Sequence, residues 1–144
     1  MRDMHLPEII AGGVHHDVRG TLAHVNDFDM SRVKRFYTIE HPATTIVRAW
    51  QGHKEEEKWF YVIRGIFQVK LIRIDNWEAP SEKLKASEFI LTVDESNVLH
   101  IPAGYANGLR ALEPDSKLIV FSNFTVEQSA KDNFRYAVDR WGNW

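Results

Sequence analysis

Two segments hold most of the side chains that could do chemistry: Arg48-Ala49-Trp50-Gln51-Gly52-His53-Lys54 and, later, Ile101-Pro102-Ala103-Gly104-Tyr105-Ala106-Asn107-Gly108. His53 is an imidazole, able to take or give a proton near neutral pH unless its surroundings move it. It reads either as a site residue or as a histidine at the edge of a charged turn. Arg19, Arg35 and Arg48 carry guanidinium groups, which suit phosphate oxygens because they donate two parallel bonds. Arg19 and Arg35 read equally well as surface ion pairs, Arg19 with Asp17. Tyr37 lies on an apolar stretch and is core or a hydroxyl partner. Gln51 is an amide that cannot take up a proton. Asn107 is another, or a residue chosen for a turn before Gly108.

These groups need rigid elements to hold them. Short runs rich in Val, Ile, Phe, Tyr and Trp, separated by turn residues, predict strands. They fall at Thr21 to Asn26, Val33 to Glu40, Thr44 to Gln51, Trp59 to Ile63, Phe67 to Ile74, Glu88 to Val93, Val98 to Ile101, Gly108 to Ala111 and Leu118 to Phe124. Phe67, Val69 and Leu71 alternate with Gln68 and Lys70, a period of two that marks a sheet with one wet face. Trp59 to Ile63 is apolar on both faces, so a second layer or a subunit must cover its outer side. Val126 to Tyr136 is a helical or irregular arm, Asp75 to Lys85 a polar excursion, and Trp141 and Trp144 pack on the barrel or on a second subunit. The expected fold is an all-β, antiparallel jelly roll, one domain over residues 1–144.

Arg48 and Gln51 are three apart, so on a regular strand they face opposite ways. Both reach one pocket only if the strand bulges at Ala49-Trp50. The run Lys54 to Lys58 reads as a solvated hairpin end.

Composition narrows the function. The 144 residues are 44% hydrophobic and 26% charged with a net charge of -2, as expected of a soluble globular chain with no electrostatic call for nucleic acid or an anionic membrane. There is no cysteine, which removes disulfides, thiolate metal sites and cysteine nucleophiles. No run is long and apolar enough for a membrane span, and the first residues, Met1 to Pro7, lack a signal peptide's apolar stretch, so a cytoplasmic location is expected.

The two segments are similar to the signature segments of a cupin barrel. The family's histidines and glutamate close around one divalent ion. At the corresponding positions this chain reads Gln51, His53, Lys58 and Asn107, so no metal is expected; Glu57 is one residue off and would face the other way. More narrowly, the chain resembles the metal-free cupins that act on nucleotide sugars, the dTDP-4-dehydrorhamnose 3,5-epimerases and dTDP-4-keto-6-deoxyhexose 3,4-ketoisomerases. Asp17-Val18-Arg19-Gly20, Val33-Lys34-Arg35-Phe36-Tyr37, Arg48 to Lys54 and Ile101 to Gly108 carry the resemblance.

That resemblance implies proton transfer beside a sugar ketone in deoxysugar biosynthesis, or binding of the same sugar without turnover. It makes His53 the base and Tyr37 the hydroxyl partner. Arg19, Arg35, Arg48, Gln51, Lys58 and Asn107 become substrate contacts, with no cofactor. The epimerases' base falls at Gln51 and their acid tyrosine near Phe124, which departs from the epimerase pattern. A homodimer is the expected assembly.

Overall fold

Strand alternation builds the molecule. The computed structural model describes residues 5–144; the first four residues, part of the stretch read for a signal peptide, lie outside it. In chain order the elements are β1 (Glu8–Ile10), β2 (Gly13–Asp17), β3 (Gly20–His24), β4 (Arg35–His41), β5 (Val47–His53), β6 (Lys58–Arg64), β7 (Ile66–Arg73), β8 (Ser87–Thr92), β9 (Val98–Ile101), β10 (Tyr105–Ala111), β11 (Ser116–Ser122), α1 (Val126–Ala130) and β12 (Phe134–Arg135). Two five-stranded sheets, β1-β9-β6-β11-β4 and β12-β5-β10-β7-β8, face each other, and β2-β3 stands apart as a hairpin. All pairings are antiparallel. This is the expected jelly roll.

Alternate residues of the facing strands fill the space between the sheets: Phe60 and Val62 from β6, Phe67, Val69 and Leu71 from β7, Leu109 from β10, Leu118 and Val120 from β11. Trp59 lies on the outer face of β6, covered by Phe28, whose ring centroid is 5.9 Å away. The second layer expected over this strand is thus supplied by the chain's own segment between β3 and β4.

A second apolar cluster forms on the outer face of the other sheet. Trp50, Ile72, Ile74 and Ala106 are buried there beneath Trp77, Leu84, Tyr136, Trp141 and Trp144. Trp141 meets Trp50 edge-on at 5.3 Å, and its Nε1 donates to the Ser81 carbonyl at 2.8 Å. The chain end therefore packs on the barrel and clamps the polar excursion, which forms no strand.

Element boundaries differ at the turn between β9 and β10. Gly104, at φ +96, completes a short turn with Ala103, so β10 begins at Tyr105 and not at Gly108. The arm after Phe124 splits: a capping box between Thr125 and Gln128 starts α1, and β12 then joins the edge of β5.

Gly108 faces the outer cluster, where an added Cβ would lie 2.5 Å from the Trp144 ring and 2.8 Å from Ala49 Cβ. Gly108→Ala should therefore cost about 1–3 kcal/mol in urea denaturation, with loss of the Trp144 packing visible in tryptophan fluorescence. An unchanged midpoint would show that the tail is not seated there.

Candidate active site

Leu109 pairs with Arg48, Gly108 with Ala49 and Asn107 with Gln51, leaving Trp50 as an extra residue on β5. This bulge changes the phase of the strand. Arg48 and Gln51 stand opposite the inward residues Leu109 and Asn107 and both face the interior, while Trp50 turns out into the aromatic cluster. The Ala49-Trp50 peptide is cis.

Between the β4 edge of one sheet and the β5-β12 edge of the other lies a cavity of about 480 Å³. Tyr37, Arg48, Gln51, Lys58, Asn107 and Arg135 supply most of its polar wall, and Ile39, Phe60 and Leu109 its apolar part. Lys58 is only 3% exposed. Its Nζ donates to Tyr37 Oη at 3.1 Å and to Gln51 Oε1 at 3.2 Å. Gln51 Nε2 donates to Asn133 Oδ1 at 3.1 Å, and Asn107 Nδ2 to the Gln51 carbonyl at 3.2 Å. The ammonium thus rests on two neutral oxygens, with a third N–H to give.

The charges on this wall are one-sided. Among the described residues the only carboxylate lining it is Glu40, which is taken by Arg64 Nη2 at 2.6 Å. Lys58, Arg48 and Arg135 form no salt bridge among the described residues. A cavity that concentrates cations in a chain of net charge -2 attracts an anion.

Beside this wall lies a second polar group that does not line the cavity. His53 is 3% exposed, its Nδ1–H donating to the Asp132 carbonyl at 2.7 Å, with Glu56 Oε1 at 3.3 Å. Its Nε2 is buried without a partner. Burial, then the Lys58 charge, hold the imidazole below its ordinary pKa against opposing pulls from Asp132 and Glu56. Glu56 is buried and accepts from Ser122 Oγ at 2.6 Å, Ser129 Oγ at 2.7 Å and Arg35 Nη2 at 3.4 Å. Arg35 also donates to the Phe124 carbonyl at 3.1 Å and lies 5.1 Å from the Tyr37 ring.

Of the residues singled out in the sequence, Tyr37, Arg48, Gln51, Lys58 and Asn107 meet on one wall, whereas His53 and Arg35 belong to the adjoining buried group. Arg19 is elsewhere: it sits on the β2-β3 hairpin, bound to Asp17 at 2.7 Å with its side chain 85% exposed. The run Lys54 to Lys58 differs from the solvated turn expected, because Glu56 and Lys58 turn inward and only Lys54 and Glu55 stay in water. Glu57 faces out, bound by Arg32 and by His100 Nε2 at 2.8 Å, and these partners lower its pKa to about 2. Arg135, Asn133 and Asp132 reach the site only through the pairing of β12 with β5, which leaves no signal in local sequence.

No family model matches the sequence, and no curated protein matches it. Solved structures do. A 3,4-ketoisomerase from Helicobacter canadensis superposes with a TM-score of 0.69 at 18% identity, over 94% of each chain. A histidine-to-asparagine mutant of the 3,4-ketoisomerase QdtA from Thermoanaerobacterium thermosaccharolyticum, in complex with TDP-4-keto-6-deoxyglucose, has a TM-score of 0.70 at 18% identity, covering 96% of this chain and 94% of its own. The rmlC epimerase of Mycobacterium tuberculosis reaches 0.77 at 13% identity, over all of this chain and 78% of its own. The fold is the cupin jelly roll of these enzymes.

His41 closes the interior near the cavity, 1% exposed, its ring edge-on to Phe67 at 5.5 Å and both ring nitrogens unpartnered. Burial, then the Arg48 charge, push its pKa down. The unfolded chain therefore binds a proton that the folded one refuses, so stability should fall as pH drops below the ordinary histidine value of 6.5. His53 acts in the same direction. Urea denaturation from about pH 7 to about pH 5 should show this loss, and His41→Leu should remove part of it. A pH-independent midpoint for the unmodified protein would contradict this burial.

Proposed function

We propose that the cavity binds a nucleotide-linked keto sugar and that the protein moves a proton beside the sugar ketone without a metal, as an isomerase or epimerase of deoxysugar biosynthesis. The contact between Lys58 and Tyr37 in a cavity of uncompensated cations carries this reading. Arg48 and Arg135 take the pyrophosphate, and the sugar carbonyl points at Lys58 and Tyr37. When a base removes the acidic proton next to the carbonyl, the electron pair moves onto the oxygen. The ammonium and phenol are placed to hold that developing charge. Returning the proton to the other face epimerises the carbon; returning it to the former carbonyl carbon, while the neighbouring hydroxyl gives its proton to the former carbonyl oxygen, moves the ketone. The fold neighbours named as ketoisomerases and epimerases support the assignment, as does the TDP-4-keto-6-deoxyglucose complex of one of them.

His53 is the base in this reading. Its Nδ1 is engaged, so Nε2 accepts the proton. Since the ring is off the cavity wall and its Nε2 is buried, this role requires the side chains around Nε2 to shift when substrate enters. The same fact favours a second reading, a cupin that binds the sugar without turnover, as do the amide Gln51 at the epimerases' base position and the hydroxyl-free Phe124 near the position of their acid tyrosine.

Incubation with dTDP-4-keto-6-deoxyglucose in deuterated water should exchange ring protons and yield a new keto sugar. His53→Ala should slow exchange about 10²-fold or more while keeping most affinity. Lys58→Met should weaken both. Binding without exchange would leave the passive reading, and no binding would reject both.

The protein acts as a cytoplasmic homodimer in this reading. Among the described residues no helix is long and apolar enough to cross a membrane. Arg19 is carried on a hairpin whose Val18 and Leu22 are exposed, and the hairpin packs on a second copy, bringing Arg19 toward the partner's cavity. Sedimentation should give a dimer at micromolar concentration. A monomer would remove Arg19 from the site.

A further inference from the structure

Asp132 uses both its main chain and its side chain on the segment that ends β5. Its carbonyl accepts the His53 Nδ1–H at 2.7 Å. Its carboxylate, 7% exposed as a residue, accepts three successive backbone N–H groups: Lys54 on Oδ1, and Glu55 and Glu56 on Oδ2, each at 2.8 Å. Consecutive N–H groups converging on one anion form a nest, which fixes the turn around the charge. The turn carries Glu56, whose Oε1 stands 3.3 Å from the same imidazole nitrogen.

The hydrogen-bonding chemistry leaves one arrangement. A carbonyl oxygen only accepts, so the short contact requires the proton on Nδ1, and in the neutral ring the lone pair is then on Nε2. Glu56 is the longer contact and is already engaged by Ser122, Ser129 and Arg35. The ring is further surrounded by Lys58 from β6 and lies opposite Tyr105 of β10. None of these supplies an acceptor as close to Nδ1 as the Asp132 carbonyl.

We propose that Asp132 is a positioning residue: by gripping the Lys54–Glu56 turn with its carboxylate, it sets its own carbonyl against His53 and fixes the tautomer in which Nε2 is the base. This rests on the reading of His53 as the base. Asp132 lies 79 positions from that histidine, and no local pattern connects the two. This role also gives the C-terminal segment a catalytic purpose beyond covering the barrel.

Long-range proton–nitrogen NMR of the ¹⁵N-labelled full chain reads the tautomer directly. The expected spectrum shows His53 protonated on Nδ1 and bare on Nε2 near neutral pH. In Asp132→Ala the single tautomer should give way to a mixture, and substrate proton exchange should fall about 10²-fold with KM nearly unchanged. Asp132→Asn keeps one acceptor oxygen and should fall between the two.

An Nε2–H tautomer in the unmodified protein would overturn the proposal. So would a folded Asp132→Ala or Asp132→Asn whose His53 signals are unaltered. If Asp132→Ala does not fold, the unmodified protein and Asp132→Asn decide. The expected tautomer in a protein that exchanges no substrate protons would count against the enzymatic reading alone and leave the positioning role standing.

Discussion

Strand β5 carries one residue more than its partner β10 can pair, and the extra residue is Trp50. Because strand side chains alternate, a single insertion reverses the facing of everything beyond it. Arg48, Gln51 and His53 can then all point inward, although an unbroken strand would send Arg48 to the opposite face from the other two. The ejected indole is not left in water. It becomes the floor on which Trp141, Trp144 and Tyr136 pack, and this seats the C-terminal segment beside β5. The same event that aims three polar residues into the barrel thus anchors the segment that delivers Asp132, Asn133 and Arg135.

Charge is placed in two ways, in the buried group and on the wall of the open cavity. In the buried group, Arg35 faces Glu56, and the Asp132 carboxylate is held by three backbone N–H groups, so each ion has close partners. Breaking such a group by removing one member is costly, since the charge left behind stays buried. On the cavity wall the balance is different: Lys58 has only neutral acceptors, and Arg48 and Arg135 have no carboxylate. The first arrangement holds the structure together, and the second leaves cations without a counter-charge from the described residues, which is what the proposed anionic ligand would supply.

The fold was legible in the sequence because period-two alternation and aromatic runs are local signals, and each long strand expected from them is present. The bulge was legible too, from the conflict between the spacing of Arg48 and Gln51 and the need for both in one pocket. What stayed hidden was set by distance along the chain. Glu56 looked like part of a solvated charge run because nothing nearby announces Ser122, Ser129 or Arg35 as its partners. Arg135 and Asp132 join the site through a two-residue strand at a sheet edge, too short to leave a pattern. His53, which the sequence left open between a site residue and the edge of a charged turn, is buried, and its neighbours are set by those same long-range contacts.

The central claim is that a nucleotide-linked sugar enters between the two sheets with its sugar against Lys58 and Tyr37 and its phosphates near Arg48 and Arg135. A crystal structure of the protein soaked with a dTDP-hexose tests it most directly. The account predicts sugar density within hydrogen-bonding distance of Lys58 Nζ and Tyr37 Oη, and phosphate density beside the two arginines. Density for the nucleotide sugar at any other place, or an empty cavity at saturating ligand, would contradict it.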